Sequence, residues 1–474
     1  MIGRTWIACL ALVLGQMTWA QANSFRATYY ELELQVEPST QRIAGTQRAQ
    51  LEALEAGSQI QLLLAEDLQV KWLKVDGQIQ PYRREADTLR VDLTRRRKAG
   101  TTILLELLYG GNVKGPLSIW QDRHVRLSPQ FLPAHHWWPT LGPADSLRLF
   151  VIAPEERAIL APGELKQYEA LPGQYLRRSY AYPFPLVPSE VYLFQGPFTE
   201  VRDEFSSGGR TVPLRYIAPS DRLGEAREQL AVTRLGLEWL TDQLGAYPYP
   251  NKGLTWIMTE DPQSLPQSGE LSPELLTQLS WPWLGQHCSP RDSLAAQILA
   301  AFRAYLPLHY LTANGDDSRI RQMLVDARPP NWEAGLIYTL LNLSENNDDF
   351  ETLIEGVLRR FGGEKMSGNG LIDHLNYHFQ GSVGPAVVQY LLYQQLPKLE
   401  YEVVRNGRKH SLRYRWVAAL PDFTLPVWFW IDEEALFVEA NTDWQYRELK
   451  GVNARQIRLE PTRGWFDFER LGDQ

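Results

Sequence analysis

The chain has 474 residues, too many for one ordinary domain, and its 44% hydrophobic residues with 16 Trp can fill two or three cores. A net charge of −8 provides no general basic surface for phosphates, which argues against a nucleic-acid partner.

Residues 1–22 read as an export signal. Arg4 supplies the positive end, Trp6–Leu14 the apolar run and Ala20-Gln-Ala22 the cleavage site. That run is too short to span a bilayer, and no later run reaches the required length. A mature chain starting near Asn23, periplasmic or secreted, would keep Cys288 as its one cysteine, read as a buried thiol. Across residues 23–205, short alternating or apolar runs such as Gln59–Leu64, Val70–Val75 and Thr102–Leu108 predict a β-sandwich. The basic run Thr94–Lys98 reads as an exposed turn, and Ser206-Ser-Gly-Gly209 as a linker.

Residues 206–395 change to a helical period. Leu223, Ala226, Leu230, Leu237, Leu240 and Leu244 fall on one stripe, which Gly245 ends. Further helices are expected at Ala295–Tyr305, Trp332–Leu343, Phe350–Phe361, Gly370–Phe379 and Val387–Gln394. Strands return over residues 396–474, where Leu399–Arg405 and Arg408–Val417 flank Asn406-Gly407, a hairpin signal. Val427–Ile431 and Leu436–Ala440 follow. The expected fold class is multidomain α+β: an N-terminal β-sandwich, a largely helical middle domain and a small C-terminal β-sandwich.

Several segments in this order resemble the zinc aminopeptidases related to aminopeptidase N and leukotriene hydrolase. Tyr29–Pro38 with Arg42–Thr46 is similar to that family's opening strand pair. His136-Trp-Trp-Pro139, Leu147–Pro154 and Ala161–Leu165 resemble the later part of its β domain, and Val187–Phe198 the strand that leaves it. Val212–Pro219, a long helix and Gly245–Lys252 resemble the start of the catalytic domain. The resemblance implies a thermolysin-like middle domain, here shortened.

In that family one helix carries H-E-x-x-H, two His binding zinc and a Glu activating water. The matching segment, Ser293–Tyr305, has Gln297, Ile298 and Ala301 at these positions. Neither Ile nor Ala offers a donor atom, and Gln binds zinc poorly beside imidazole. The family's G-x-M-E-N strand falls near Gln263–Gln267, which has no Glu before Glu270. Its third zinc ligand has no evident counterpart, and its oxyanion Tyr aligns with Trp332 in Asn331-Trp-Glu-Ala-Gly335. Glu270 and Glu333 are left as candidate cleft carboxylates.

Other constellations compete with this reading. His374 and His378 stand one helical turn apart beside Asp373, a spacing that zinc accepts, but Leu375 occupies the place of a general base. His135-His136-Trp137-Trp138 and Trp281-Pro-Trp283 are aromatic clusters that read first as packing and second as stacking platforms for sugars. The sequence therefore suggests an exported, aminopeptidase-like protein without catalytic residues, metal or cofactor, binding an unknown peptide or protein. A divergent metallo-aminopeptidase or other hydrolase, and an envelope glycan-binding protein, are the alternatives.

Overall fold

The computed structural model describes residues 24–114, 125–128, 132–258, 271–313, 315, 331–343, 350–406, 409–431, 433–449, 457–459 and 464–471. Residues 1–22, read above as an export signal, together with Gln263–Gln267 and Glu270, lie outside them. The chain divides into two compact units. The first comprises residues up to Arg202 with 215–227 and 254–262; the second comprises 203–214, 228–253 and 263–474.

The first unit is β-rich. It contains β1 (Phe25–Glu37), β2 (Arg42–Ala53), β3 (Gly57–Leu63), β4 (Leu68–Val75), β5 (Gln78–Ile79), β6 (Tyr82–Glu85), β7 (Thr88–Arg97) and β8 (Thr102–Asn112). β9 (Val125–Leu127), β10 (Ser146–Pro154), β11 (Ile159–Leu160), β12 (Glu164–Leu171), β13 (Tyr175–Tyr182) and β14 (Leu193–Gln195) follow. Eight of these form one sheet in the order β12-β13-β10-β1-β2-β8-β4-β5, and β3-β7-β6 form another. Alternation sets the core face: Leu32, Leu34, Leu51, Leu105 and Leu107 are fully buried while their neighbours are not. The run Thr94–Lys98 is largely strand, contrary to the turn expected, and Arg97 Nη2 reaches Asp76 at 2.7 Å.

β15 (Phe198–Ser207) and β16 (Arg210–Pro219) form a hairpin with β17 (Leu254–Ile257) beside β16. Gly208 and Gly209, at φ +56° and +72°, turn that hairpin, so Ser206–Gly209 is not a linker. Paired glycines serve either use, because each tolerates the left-handed region that a tight hairpin turn demands.

α1 (Leu223–Leu244) buries Ala226, Leu230, Leu237, Leu240 and Leu244, and Gly245 ends it at φ +79°. In the second unit follow α2 (Pro273–Leu279), the short β18 (Ser289–Pro290), α3 (Ser293–Ala313), α4 (Trp332–Leu343) and α5 (Phe350–Phe361). β19 (Lys365–Met366), α6 (Gly368–His378) and α7 (Gly384–Val387) complete the helical region, and a π-type turn over Val388–Leu392 closes it. α3 packs on α2, α4 and α6. It runs eight residues past the expected end at Tyr305, through Pro307, with Leu306, Leu308 and Leu311 all buried. Among the described residues, no helix is long and apolar enough to cross a membrane.

The C-terminal strands are β20 (Lys398–Asn406), β21 (Lys409–Val417), β22 (Thr424–Ile431), β23 (Glu434–Asn441), β24 (Gln445–Leu449), β25 (Ile457–Leu459) and β26 (Asp467–Arg470). They form the sheets β24-β21-β20-β26 and β23-β22-β25. Tyr401 and Tyr414 of one sheet meet Phe429 of the other, with ring centroids 5.3 and 6.3 Å apart. Asn406 pairs with Lys409, so the first strand runs through Asn406, one residue further than expected, and 407–408 lie outside the described residues. This register sets Trp416 opposite Leu399 and Tyr414 opposite Tyr401.

Candidate functional site

α3 is positioned by Asp292. One carboxylate oxygen accepts the Ala295 N–H at 2.8 Å, an N-cap that satisfies a first-turn donor. Both oxygens also accept the Gly368 N–H at 3.1 Å, so α3 and α6 start from one anchor. The parallel bridge between β18 and β19 reinforces it.

Gln297, Ile298 and Ala301 all lie on α3. Ile298 and Ala301 have 0% exposure. Gln297 is half-buried, and its buried Oε1 has no hydrogen-bond partner among the described residues. These three residues do not fit a zinc ion: one amide oxygen is the whole donor set, and neither the amide nor the two apolar side chains can take a proton from water. Arg303, which sequence reasoning passed over, lies on the same helix with its guanidinium 4.8 Å from the Trp281 ring centre. Burial pushes it down to about 10. A lone Arg in an apolar helix gives no signal in sequence that it will be covered.

Trp332 and Glu333 open α4, the helix packed on α3, and the Asn331 side chain caps it by accepting the Ala334 N–H at 3.0 Å. Both are half-buried. The Trp332 ring stands 5.0 Å from that of Trp465. Trp465 is fastened in turn: its N–H donates to Thr339 Oγ1 at 3.0 Å, and its carbonyl accepts the Tyr390 hydroxyl at 2.6 Å. α4 and the C-terminal segment are thereby tied within one unit. Trp332, which the resemblance aligns with the family's oxyanion Tyr, has Trp465 as its described ring partner.

His374 is buried on α6. Burial, then the Arg360 guanidinium and His378, hold its imidazole below the ordinary value. The Arg360 guanidinium also opposes a metal ion, and among the described residues no third donor joins His374 and His378. Trp137 and Trp138 are core: Trp138 meets Tyr30 edge-on at 5.2 Å, and the Trp137 carbonyl accepts the Tyr109 hydroxyl at 3.2 Å. Trp283 is buried too, its indole N–H donating to the Gly245 and Ala246 carbonyls. Neither cluster offers these rings as a platform. One group the sequence did not suggest is Asp87 with His135 and His136, brought together in the first unit. Burial and the neighbouring His136 push His135 down to about 4, against the opposing pull of Asp87.

No protein-family model matches the sequence, and no curated protein matches it. Solved structures do resemble the chain. The M1 zinc metallopeptidase of Deinococcus radiodurans gives a TM-score of 0.59 at 18% identity, over 78% of this chain and 93% of that one. A mutant of that enzyme bound to a Tyr-Ser-Ala substrate gives 0.58 at 17%, over 78% and 94%. Legionella pneumophila aminopeptidase A, in complex with aspartic acid, gives 0.71 at 11% over 96% of this chain, which spans 60% of that enzyme's length. At such identities the likeness establishes the fold: a β-rich N-terminal domain, a helical middle region and a C-terminal β domain.

Proposed function

We propose that the chain is an exported, catalytically inactive aminopeptidase-like protein that binds peptides or proteins, or acts as a scaffold. The observation that carries this reading is the state of α3. Ile298 and Ala301 stand where the resemblance places a general base and a zinc ligand; both are apolar and fully buried. In support, none of the eight His in the sequence is followed by Glu, so H-E-x-x-H occurs nowhere. Without a metal the scaffold has nothing to lower the pKa of water.

A second reading, a divergent metallo-aminopeptidase or hydrolase, draws support from the fold shared with zinc metallopeptidases, from the buried Gln297 Oε1, unpartnered among the described residues, and from Glu333 in the first turn of α4, which packs on α3. Assays on chromogenic amino-acid amides, with and without Zn²⁺ or Co²⁺, separate the two. No turnover is expected at any supplement. Activity that follows the protein through several columns and disappears in an Ile298 or Trp332 variant would establish the second reading instead.

A further inference from the structure

We propose that Asp87, His135 and His136 bind a divalent first-row transition-metal ion of the zinc class, clamping the β6–β7 turn to the turn Ala134–His136. One ligand atom from each of the three residues lies within 4.8 Å of the others, and among the described residues this is the one such group. His135 Nε2 and Asp87 Oδ2 are 3.5 Å apart. That is long for a hydrogen bond. It is close to the edge of a tetrahedron drawn with metal–ligand bonds of about 2.0–2.2 Å, which is roughly 3.3–3.6 Å. The two imidazole rings stand 4.5 Å apart and inclined at 60°, so rotation about the side-chain bonds can bring a nitrogen of each towards a common point.

The ligands are held from behind, as metal ligands usually are. Asp87 Oδ1 accepts the Glu66 N–H at 3.0 Å, which leaves Oδ2 towards His135. The Asp87 carbonyl accepts the Leu64 N–H, and the His135 carbonyl accepts the Ala65 N–H, both at 2.8 Å. Three consecutive main-chain donors thus fix two segments some fifty residues apart, and a bridge between Leu63 and Thr140 adds to this. Ala86, next to Asp87, holds φ +48°, a left-handed conformation that non-glycine residues rarely adopt. Asp87 and His135 keep 37% and 22% side-chain exposure, so water can complete the coordination. Arg84 is the nearby opposing charge, and its guanidinium is engaged with the Ala65, Glu66 and Leu68 carbonyls. Two imidazoles with one carboxylate favour Zn²⁺, Ni²⁺ or Cu²⁺ over Mg²⁺ or Ca²⁺. The site is in the first unit and is independent of whether α3 is catalytic.

Titration of the chelator-stripped full chain with ZnCl₂ tests this. One ion per chain is expected, with a melting temperature that rises with Zn²⁺ and not with Mg²⁺. Co²⁺ at one equivalent should give visible d–d absorption. Asp87→Asn and His135→Gln should each weaken binding by about tenfold or more, while His374→Gln/His378→Gln leaves it unchanged. If His135→Gln does not fold, Asp87→Asn, a near-isosteric change at a turn, still decides. Failure of the wild type to bind Zn²⁺, equal affinity in Asp87→Asn, or loss of the ion in the His374→Gln/His378→Gln chain would overturn the proposal.

Discussion

Trp465 occupies the space that a side chain on Gly335 would need: a Cβ there would come within 1.9 Å of Trp465 Cε3. The contact locks α4 to the segment before β26, and Thr339 and Tyr390 hold Trp465 in place by hydrogen bonds. Gly335→Ala is therefore expected to destabilise the protein by about 1–3 kcal/mol through overpacking, and Trp465→Ala by about 3–5 kcal/mol through the cavity left. Combining them should cost less than the sum, since removing the ring relieves the clash. Urea unfolding of the three variants measures this.

Ile298→Glu and Ala301→His restore two of the residue types that a zinc helix would carry. Both positions are fully buried, so each substitution should cost about 2 kcal/mol or more, the order for an unpaired polar group placed in a core. Thermal unfolding checks it, and unchanged midpoints would mean that this face of α3 is open to solvent. Neither variant alone should gain peptidase activity.

Stability should fall with acid below the ordinary His range. His374 is held below its unfolded value of 6.5, so the unfolded chain takes up this proton first as pH drops. The stability tied to neutral His374 is complete above pH 6.5 and is lost as pH falls from there towards the folded value. His287, also lowered by burial, contributes with the same sign. Urea midpoints at pH 7.5 and 5.5 should differ in the wild type, and by less in His374→Gln.

Cys288 should be inert while the protein is folded. It is buried, and burial pushes its thiol up to about 12, so almost no thiolate exists at neutral pH. An aromatic disulfide reagent should react at a rate limited by opening and quickly in denaturant. Fast labelling of the native chain would contradict the buried position.

Much of the architecture is legible in the sequence, because secondary structure reports itself through local period. The stripe from Ala226 to Leu244 and the alternation of β1 and β8 name their buried faces without reference to anything distant. The misreadings are local ambiguities. Gly208-Gly209 suits a linker or a tight hairpin, Pro307 suits a helix end or a tolerated kink, and α2 is only seven residues long, too short to show a period.

Residue chemistry also belongs to the sequence: Ile298 and Ala301 lack donor atoms wherever they are folded. What covers them does not. Trp465 meets Gly335 across 130 residues, and Asp87 meets His135 across 48. Such meetings depend on strand register and chain closure, which many distant segments satisfy jointly. A periodic pattern tells which face of an element is buried. The partner that buries it, and therefore whether two aromatic residues form a binding platform or a core, is settled only when the whole chain packs.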